Sequence, residues 1–223
     1  GGVRAFVAQP EVCSNPGEAT IRTAVDEAVG WFARNQPDDG TWLYRYDKDA
    51  NVDVGGYNVV RHAGVTMSLY QAATVGSADA LATADRGLSW ALERLVPAGD
   101  GLAPNDSRQI KVGATGLLVA GMIERRESTG ETIHDDELVG LGRFLQATVE
   151  DTGAVLAYWD IEADAPVPNE YSHYFTGEVG WALARLHHAF PEDGFGADAP
   201  AVTPTALRPS NHSRCRLSGP STR

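Results

Sequence analysis

The chain has 223 residues, of which 43% are hydrophobic and 22% charged, so it is expected to form one globular domain with a sizeable core. Its formal net charge is −12, and such an acidic surface disfavours nucleic acids and anionic membranes as partners. It contains no run of about 18 apolar residues, so we expect no membrane insertion but a soluble protein, cytoplasmic or secreted.

The two ends of the sequence differ from its middle. Residues 1–19 are predicted to be an irregular leader. Because the sequence lacks an initiator Met, we expect it to be cut from a longer chain, whose remainder would be a partner of this domain. Residues 199–223 contain four arginines and no acid, so we expect a disordered basic tail. Cys13 and Cys215 lie in these ends, and either a disulfide or two thiols would fit them. The domain itself is predicted at 20–198.

Six helices of two alternating kinds are predicted inside this domain. The first, third and fifth carry an apolar stripe at i, i+3, i+4 and i+7, whereas the second, fourth and sixth are rich in small residues. Strand signals are weak, and only 42–46 and 155–159 are expected to form short arms. The predicted bounds are 21–35 with Thr20 as N-cap, 58–73, 80–95, 112–127, 135–149 with Asp135 or Asp136 as cap, and 176–190.

A helix end followed by a glycine turn recurs along the chain. The clearest copy is Trp31-Phe32-x3-Gln36-x3-Gly40-x-Trp42, in which Pro37 ends the helix and Gly40 forms the turn. The spacing returns 113 residues later, and a looser copy lies between them at Gly99–Gly101. Three such units predict paired helices, with the small-residue helices lining the inside of a toroid or solenoid.

This motif resembles the helix-end repeat of α/α-toroid proteins, of which triterpene cyclases carry the best-known form. The paired helices also resemble six-hairpin glycosidases, N-acylglucosamine epimerases and some pectate lyases. The resemblance implies an all-α fold, a toroid-like array of about three helix hairpins. Because these families usually complete six pairs, it would be a partial or small α/α barrel. It also implies that Gln36 bonds backbone groups and that Trp42 packs over the turn, but it names no reaction.

Two branches of this superfamily lack their chemistry here. Triterpene cyclases need an acidic cluster that protonates an alkene, and the sequence has no Asp-x-Asp-Asp run. Protein prenyltransferases and lanthionine cyclases hold zinc through Cys and His, but neither cysteine lies in a helical repeat. We therefore expect no metal and no other cofactor. The carbohydrate branch remains, with a saccharide or another small molecule as substrate.

The first group of candidate residues opens the second helix. In a toroid this end faces the central cleft, where unpaired N–H groups favour anionic or hydroxyl ligands. Arg61 is expected to clamp a carboxylate or phosphate, His62 to act as acid or base, and Tyr57 and Asn58 to bind substrate. The alternative is structural: Asn58 caps the helix, Arg61 pairs with an acid, and His62 is a core histidine.

The second group opens the sixth helix. Glu178 is expected in its first turn, either as a proton-transfer group or as a partner of the helix dipole. His173 and Tyr174 are expected to bind sugar hydroxyls. Lys111, at the start of the fourth helix, is a further substrate-binding candidate, although a surface lysine is the alternative.

The sequence thus predicts a carbohydrate-active enzyme of the glycosidase, lyase or epimerase type. It would act on a sugar or uronic acid in a cleft at the inner-helix N-termini. The alternative is a non-catalytic helical repeat domain, or a fragment of one, that binds a glycan or a protein. Convergence of His62, Glu178 and Tyr174 on one pocket would favour the enzyme, and their separation would favour the binding domain.

Overall fold

The computed structural model describes residues 17–105 and 107–196. Within these ranges all six predicted helices are present, with ends within three residues of the predicted ones. The helices are α1 Glu18–Arg34, α2 Val59–Thr74, α3 Ala80–Leu92, α4 Val112–Thr129, α5 Asp135–Ala147 and α6 Phe175–Ala189. The strands are β1 Tyr46–Asp47, β2 Val52–Asp53, β3 Leu95–Ala98, β4 Gly101–Pro104, β5 Gln109–Lys111, β6 Tyr158–Asp160 and β7 Ala165–Pro166.

The connectors between helices form small antiparallel sheets, so the prediction of a purely all-α fold was wrong. Strands β1 and β2 pair, β3 and β4 form a hairpin, and β5, β6 and β7 form a three-stranded sheet. Helix α3 ends at Leu92 rather than Leu95, because Leu95 already pairs with Pro104 in the hairpin. The predicted arms at 42–46 and 155–159 form strands only at their last residues.

The small-residue helices α2, α4 and α6 form one row with α4 in the middle. Gly64 on α2 lies beside Leu117 on α4. Three residues later Met67 lies beside Gly121, so the two helices advance in the same direction. The amphipathic helices pack behind this row, α3 on α2 and α5 on α4 and α6. This contact pattern agrees with the predicted division into two layers, while the lining of a ring by α2, α4 and α6 stays a prediction.

Helix α6 runs parallel to α4 as well. Gly113 lies against Phe175 where both helices begin, and Glu124, further along α4, pairs with Arg185 further along α6. All three helices of the row therefore begin at the same end. We call it the N-terminal end of the row.

The repeated turn connects one outer helix to the next. The Gln36 side chain donates to the carbonyl oxygens of Gly40 (3.2 Å) and Thr83 (3.1 Å) and accepts from Arg86 Nε (2.7 Å). Thr83 and Arg86 belong to α3, so this turn is fastened to the following outer helix. The expected backbone bonds of the glutamine are confirmed. The Trp42 ring lies 6.1 Å from the Phe32 ring, so it packs back on α1, the helix that precedes the turn.

Two predicted caps were wrong. Helix α1 begins directly after Gly17, so Thr20 lies inside the helix and the predicted leader ends earlier. The N-cap of α5 is His134. Asp135 instead accepts two hydrogen bonds from Arg126 of α4, at 2.8 and 3.0 Å. A bidentate pair with a guanidinium is a stronger use of this carboxylate than a bond to a single backbone N–H.

Other predictions lie outside the described residues: most of the leader, Cys13, Cys215 and the tail at 199–223. Among the described helices none is both long enough and apolar enough to cross a membrane. Within 17–105 and 107–196 no group of three or more His, Cys, Asp or Glu side chains is arranged to hold a metal ion.

Candidate functional site

An aromatic recess of about 150 Å³ opens beside the start of α2, at the N-terminal end of the row. We call it the α2 recess. Phe32, Trp42, Tyr44 and Tyr57 supply rings to its wall, and Arg61 and His62 line it as well. Asn58 also lines it, so four of the predicted site residues are brought together here: Tyr57, Asn58, Arg61 and His62.

The local sequence explains why α2 starts at this point. Gly55 and Gly56 both have positive φ, 71° and 79°, which glycine adopts without steric cost. Asn58 then takes an extended conformation, and its side-chain oxygen accepts a bond from the backbone N–H of Arg61 at 3.1 Å. Asn58 is therefore the N-cap of α2, as the structural alternative expected. Its role in substrate binding stays a prediction.

His62 is buried, with only 2% of its surface exposed, and both ring nitrogens have partners. Nε2 lies 2.7 Å from the Gly87 carbonyl oxygen, and Nδ1 lies 2.7 Å from the Tyr57 hydroxyl. Because a carbonyl only accepts, Nε2 carries the proton and Nδ1 accepts from Tyr57. The backbone N–H of Trp42 donates to the same hydroxyl oxygen at 3.1 Å. These bonds hold the imidazole in one neutral tautomer.

Burial sets the charge state of this pair. It lowers the pKa of His62 from 6.5 to about 4, against the opposing effect of the Gly87 carbonyl. It also raises the pKa of Tyr57 to about 12. At neutral pH His62 is therefore uncharged and Tyr57 keeps its proton. Direct proton exchange between His62 and a ligand would require one of its two hydrogen bonds to break, so its catalytic role stays a prediction.

Arg61 lies exposed at the edge of the recess. Its Nη1 donates to the Tyr44 hydroxyl at 3.1 Å, and its Cζ lies 5.3 Å from the centre of the Tyr44 ring. This geometry combines a hydrogen bond with a cation–π contact. Among the described residues Arg61 forms no ion pair with an acid, although the structural alternative expected one.

Glu178 lies in the first turn of α6, against Gly113 at the start of α4. Its Oε2 atom is buried and has no hydrogen-bond partner among the described residues. Burial raises the pKa of this carboxyl above its usual value. Glu178 does not line the α2 recess. Neither do His173 and Tyr174, which are exposed, Tyr174 at 77%.

Lys111 lines a different cavity, a cleft of about 650 Å³ at the start of α4. We call it the α4 cleft. It combines cationic and anionic side chains with one aromatic ring: Arg108, Lys111, Tyr158, Asp160 and Glu162. The predicted site residues therefore share one end of the row but occupy three places. His62, Glu178 and Tyr174 do not converge on one described pocket.

Sequence reasoning missed part of the recess. Tyr44 lies in the predicted arm 42–46, to which no binding role was assigned, yet it lines the recess. Trp90 of α3 packs against two residues of the recess wall. The Trp90 ring lies 4.2 Å from that of His62 and 5.1 Å from that of Tyr57. The available signal was the concentration of aromatic residues between 42 and 57.

Comparison with solved structures finds three proteins of similar fold. The chain superposes with a TM-score of 0.63 on each of three: a sugar epimerase from a ruminal bacterium, a D-mannose isomerase, and the cellobiose 2-epimerase of Spirochaeta thermophila. The identities are 11%, 14% and 14%, over 80%, 85% and 82% of this chain and 52%, 51% and 52% of those chains respectively.

The chain therefore spans about half the length of the solved structures it matches. At such low identity the likeness establishes the fold, which supports the α/α-toroid resemblance in part. The sequence matches no protein-family model and no curated protein.

Proposed function

We propose that this chain binds a sugar at the N-terminal end of the row and belongs to a carbohydrate-active enzyme of the epimerase or isomerase type. The α2 recess is the observation that carries this proposal. Its aromatic walls suit the apolar face of a sugar ring, and Arg61 and Tyr57 offer polar groups for hydroxyls. The matched solved structures, two epimerases and an isomerase, favour this reaction type over hydrolysis.

The recess is smaller than the typical ligand pocket of roughly 300–1,000 Å³, so it would hold only part of a substrate. Further contacts are expected from the α4 cleft and from the start of α6, because both lie at the same end of the row. Lys111, His173 and Tyr174 keep their proposed binding roles there.

Epimerisation or isomerisation next to a carbonyl requires one group to remove a proton from carbon and a group to return one. Glu178 suits this task best, because its raised pKa lies closer to neutral pH than that of an ordinary glutamate. We assign His62 a positioning role, since its Nδ1 fixes the direction of the Tyr57 hydroxyl. Tyr57, Asn58 and Arg61 would bind the substrate.

Deuterium exchange tests the reaction. The chain is incubated with D-mannose and with cellobiose in D₂O, and loss of the C2 proton signal is followed by NMR. We expect exchange, and a decrease of about 100-fold or more in E178Q. The control is E27Q, at an exposed glutamate of α1, which should exchange as fast as the parent chain. If the chain shows no deuterium exchange and binds no sugar, the proposal is rejected.

A second candidate function is a non-catalytic sugar-binding domain. It is favoured by one observation: His62, Glu178 and Tyr174 do not share a described pocket. The same experiment separates the two candidates. Sugar binding detected by calorimetry, without deuterium at C2, would support the binding domain and reject the enzyme.

A further inference from the structure

We infer that the sugar recognised at the α2 recess is a sugar acid, and that Arg61 binds its carboxylate. This inference rests on the proposed function and narrows its substrate class. It departs from two of the matched proteins, because D-mannose and cellobiose, the sugars after which they are named, are uncharged. Four features of the recess carry the inference.

The first feature is the unused bonding capacity of Arg61. A guanidinium has five N–H donors in a rigid plane, and only the bond to Tyr44 is made within the described residues. The ring of Tyr44 supports the guanidinium from one side, so its orientation is set before a ligand arrives. A carboxylate matches the remaining donors as a bidentate acceptor.

The second feature is another cation at the same ring. The Cζ of Arg45 lies 6.0 Å from the centre of the Tyr44 ring, and its Nε donates to the Gly55 carbonyl oxygen at 3.1 Å. Neither Arg45 nor Arg61 forms an ion pair with any carboxylate of residues 17–105 or 107–196. Two guanidinium groups thus flank one tyrosine without a counter-charge from the described chain.

The third feature is the local use of the nearby acids. Asp47 accepts from the backbone N–H groups of Asp49 and Ala50, both at 2.9 Å. Asp53 accepts from the backbone N–H of Gly55 at 2.7 Å. These carboxylates stabilise the turns of their own connector and leave the guanidinium groups to other partners.

One more acid, Asp39, is also engaged locally. It accepts from the backbone N–H of Thr41 at 3.0 Å and from its hydroxyl at 2.6 Å.

The fourth feature is the contrast with the whole chain, which has 30 acidic against 18 basic residues. In such an excess of acid, two guanidinium groups at one ring without an acidic partner suit a ligand that brings the negative charge.

Calorimetry on matched pairs of sugars tests the inference. Each pair shares a ring and differs in one group, a carboxylate in place of CH₂OH: glucuronate and glucose, mannuronate and mannose, galacturonate and galactose. We expect at least one acid to bind about tenfold or more tightly than its neutral partner. Because the attraction is electrostatic, this preference should weaken as salt is added. Acetate, a carboxylate without the ring, should bind far more weakly.

Variants identify the residue responsible. R61Q should lose the preference for the acid, and R61K should keep only part of it, because lysine offers no planar fork. The matched control is R22Q, which also removes one positive charge but lies on α1, where Arg22 bonds the Val75 carbonyl oxygen. R22Q should keep the full preference. Circular dichroism checks that each variant is folded.

The outcomes are distinguishable. Neutral sugars binding as tightly as the acids, or an R61Q chain that keeps its preference, would overturn the inference and leave the proposed function standing. Acetate binding as tightly as the sugar acids would also overturn it, because the site would then recognise an anion alone. A chain that binds neither the six sugars nor cellobiose would overturn the proposed function together with the inference.

Discussion

The position of His62 near the start of α2 predicts an acid or base, but burial keeps its imidazole neutral. Both nitrogens are bonded and the ring contacts those of Trp42 and Trp90. A charged imidazolium would lose its hydration there without gaining an anion, so the neutral form prevails. The residue orients Tyr57 rather than carrying charge.

This burial makes stability depend on pH. The pKa of His62 is about 4 in the folded chain and 6.5 in the unfolded one. Between these values the unfolded state binds a proton that the folded state does not bind. The free energy of unfolding therefore falls as pH decreases from 6.5 towards 4. We expect a loss of about 2 kcal/mol between pH 7.5 and 5, measured by urea unfolding. H62Q should lack this component, and parallel pH profiles of the two chains would contradict it.

A substitution at Gly40 tests how closely the repeated turn approaches α3. Gly40 has φ of 81°, and an added Cβ would overlap the Arg86 carbonyl oxygen of α3. Gly55 has a similar φ of 71° but no atom within 4 Å of an added Cβ. We expect G55A to cost about 1–2 kcal/mol, the penalty of the left-handed conformation, and G40A to cost clearly more. Equal losses in urea unfolding would refute a close approach at Gly40.

At the scale of elements, small residues let the helices of the row approach each other. An added Cβ on Gly116 would lie 3.0 Å from backbone atoms of Glu178, and one on Gly121 would lie 3.0 Å from Met67 Cα. Backbone atoms cannot rotate away as a side chain can. These glycines therefore set the spacing of α2, α4 and α6, and through it the positions of the residues at the N-terminal end.

A pair of glycine-to-alanine variants separates packing from helix propensity. In G177A the new methyl group meets nothing within 4 Å, so the better propensity of alanine should stabilise the chain by about 0.5–1 kcal/mol. In G116A the same gain is opposed by contact with the α6 backbone, and we expect a net loss. Thermal unfolding measures both. A G116A chain as stable as G177A would show that the interface has room.

At the scale of the molecule, burial is uneven along the row and its outer layer. Helix α4, in the middle, has eleven buried residues, whereas among the described residues of α1 only Val29 is buried. Local opening costs least where few apolar contacts are lost. We therefore expect the free energy of local opening to be highest at α4 and lowest at α1.

Hydrogen exchange followed by mass spectrometry checks this order. Peptides from α4 should exchange slowest, at or near the rate of global unfolding, and peptides from α1 fastest among the helices. Helix α2, with seven buried residues, should lie between them. Protection of α1 equal to that of α4 would contradict the proposed arrangement of stability.

By itself the sequence determined the helices and their two kinds, because apolar period, small-residue content and the turn signals at Pro37 and Gly40 act over a few neighbouring residues. It did not reveal the hairpin of β3 and β4, since strand pairing depends on partners beyond the local window. Only the tertiary structure decided that His62 is enclosed while Arg61 stays open, although they are adjacent in the chain. It also put Glu178 against α4, outside the α2 recess. Burial and pocket sharing depend on how helices pack, and no local pattern contains that information.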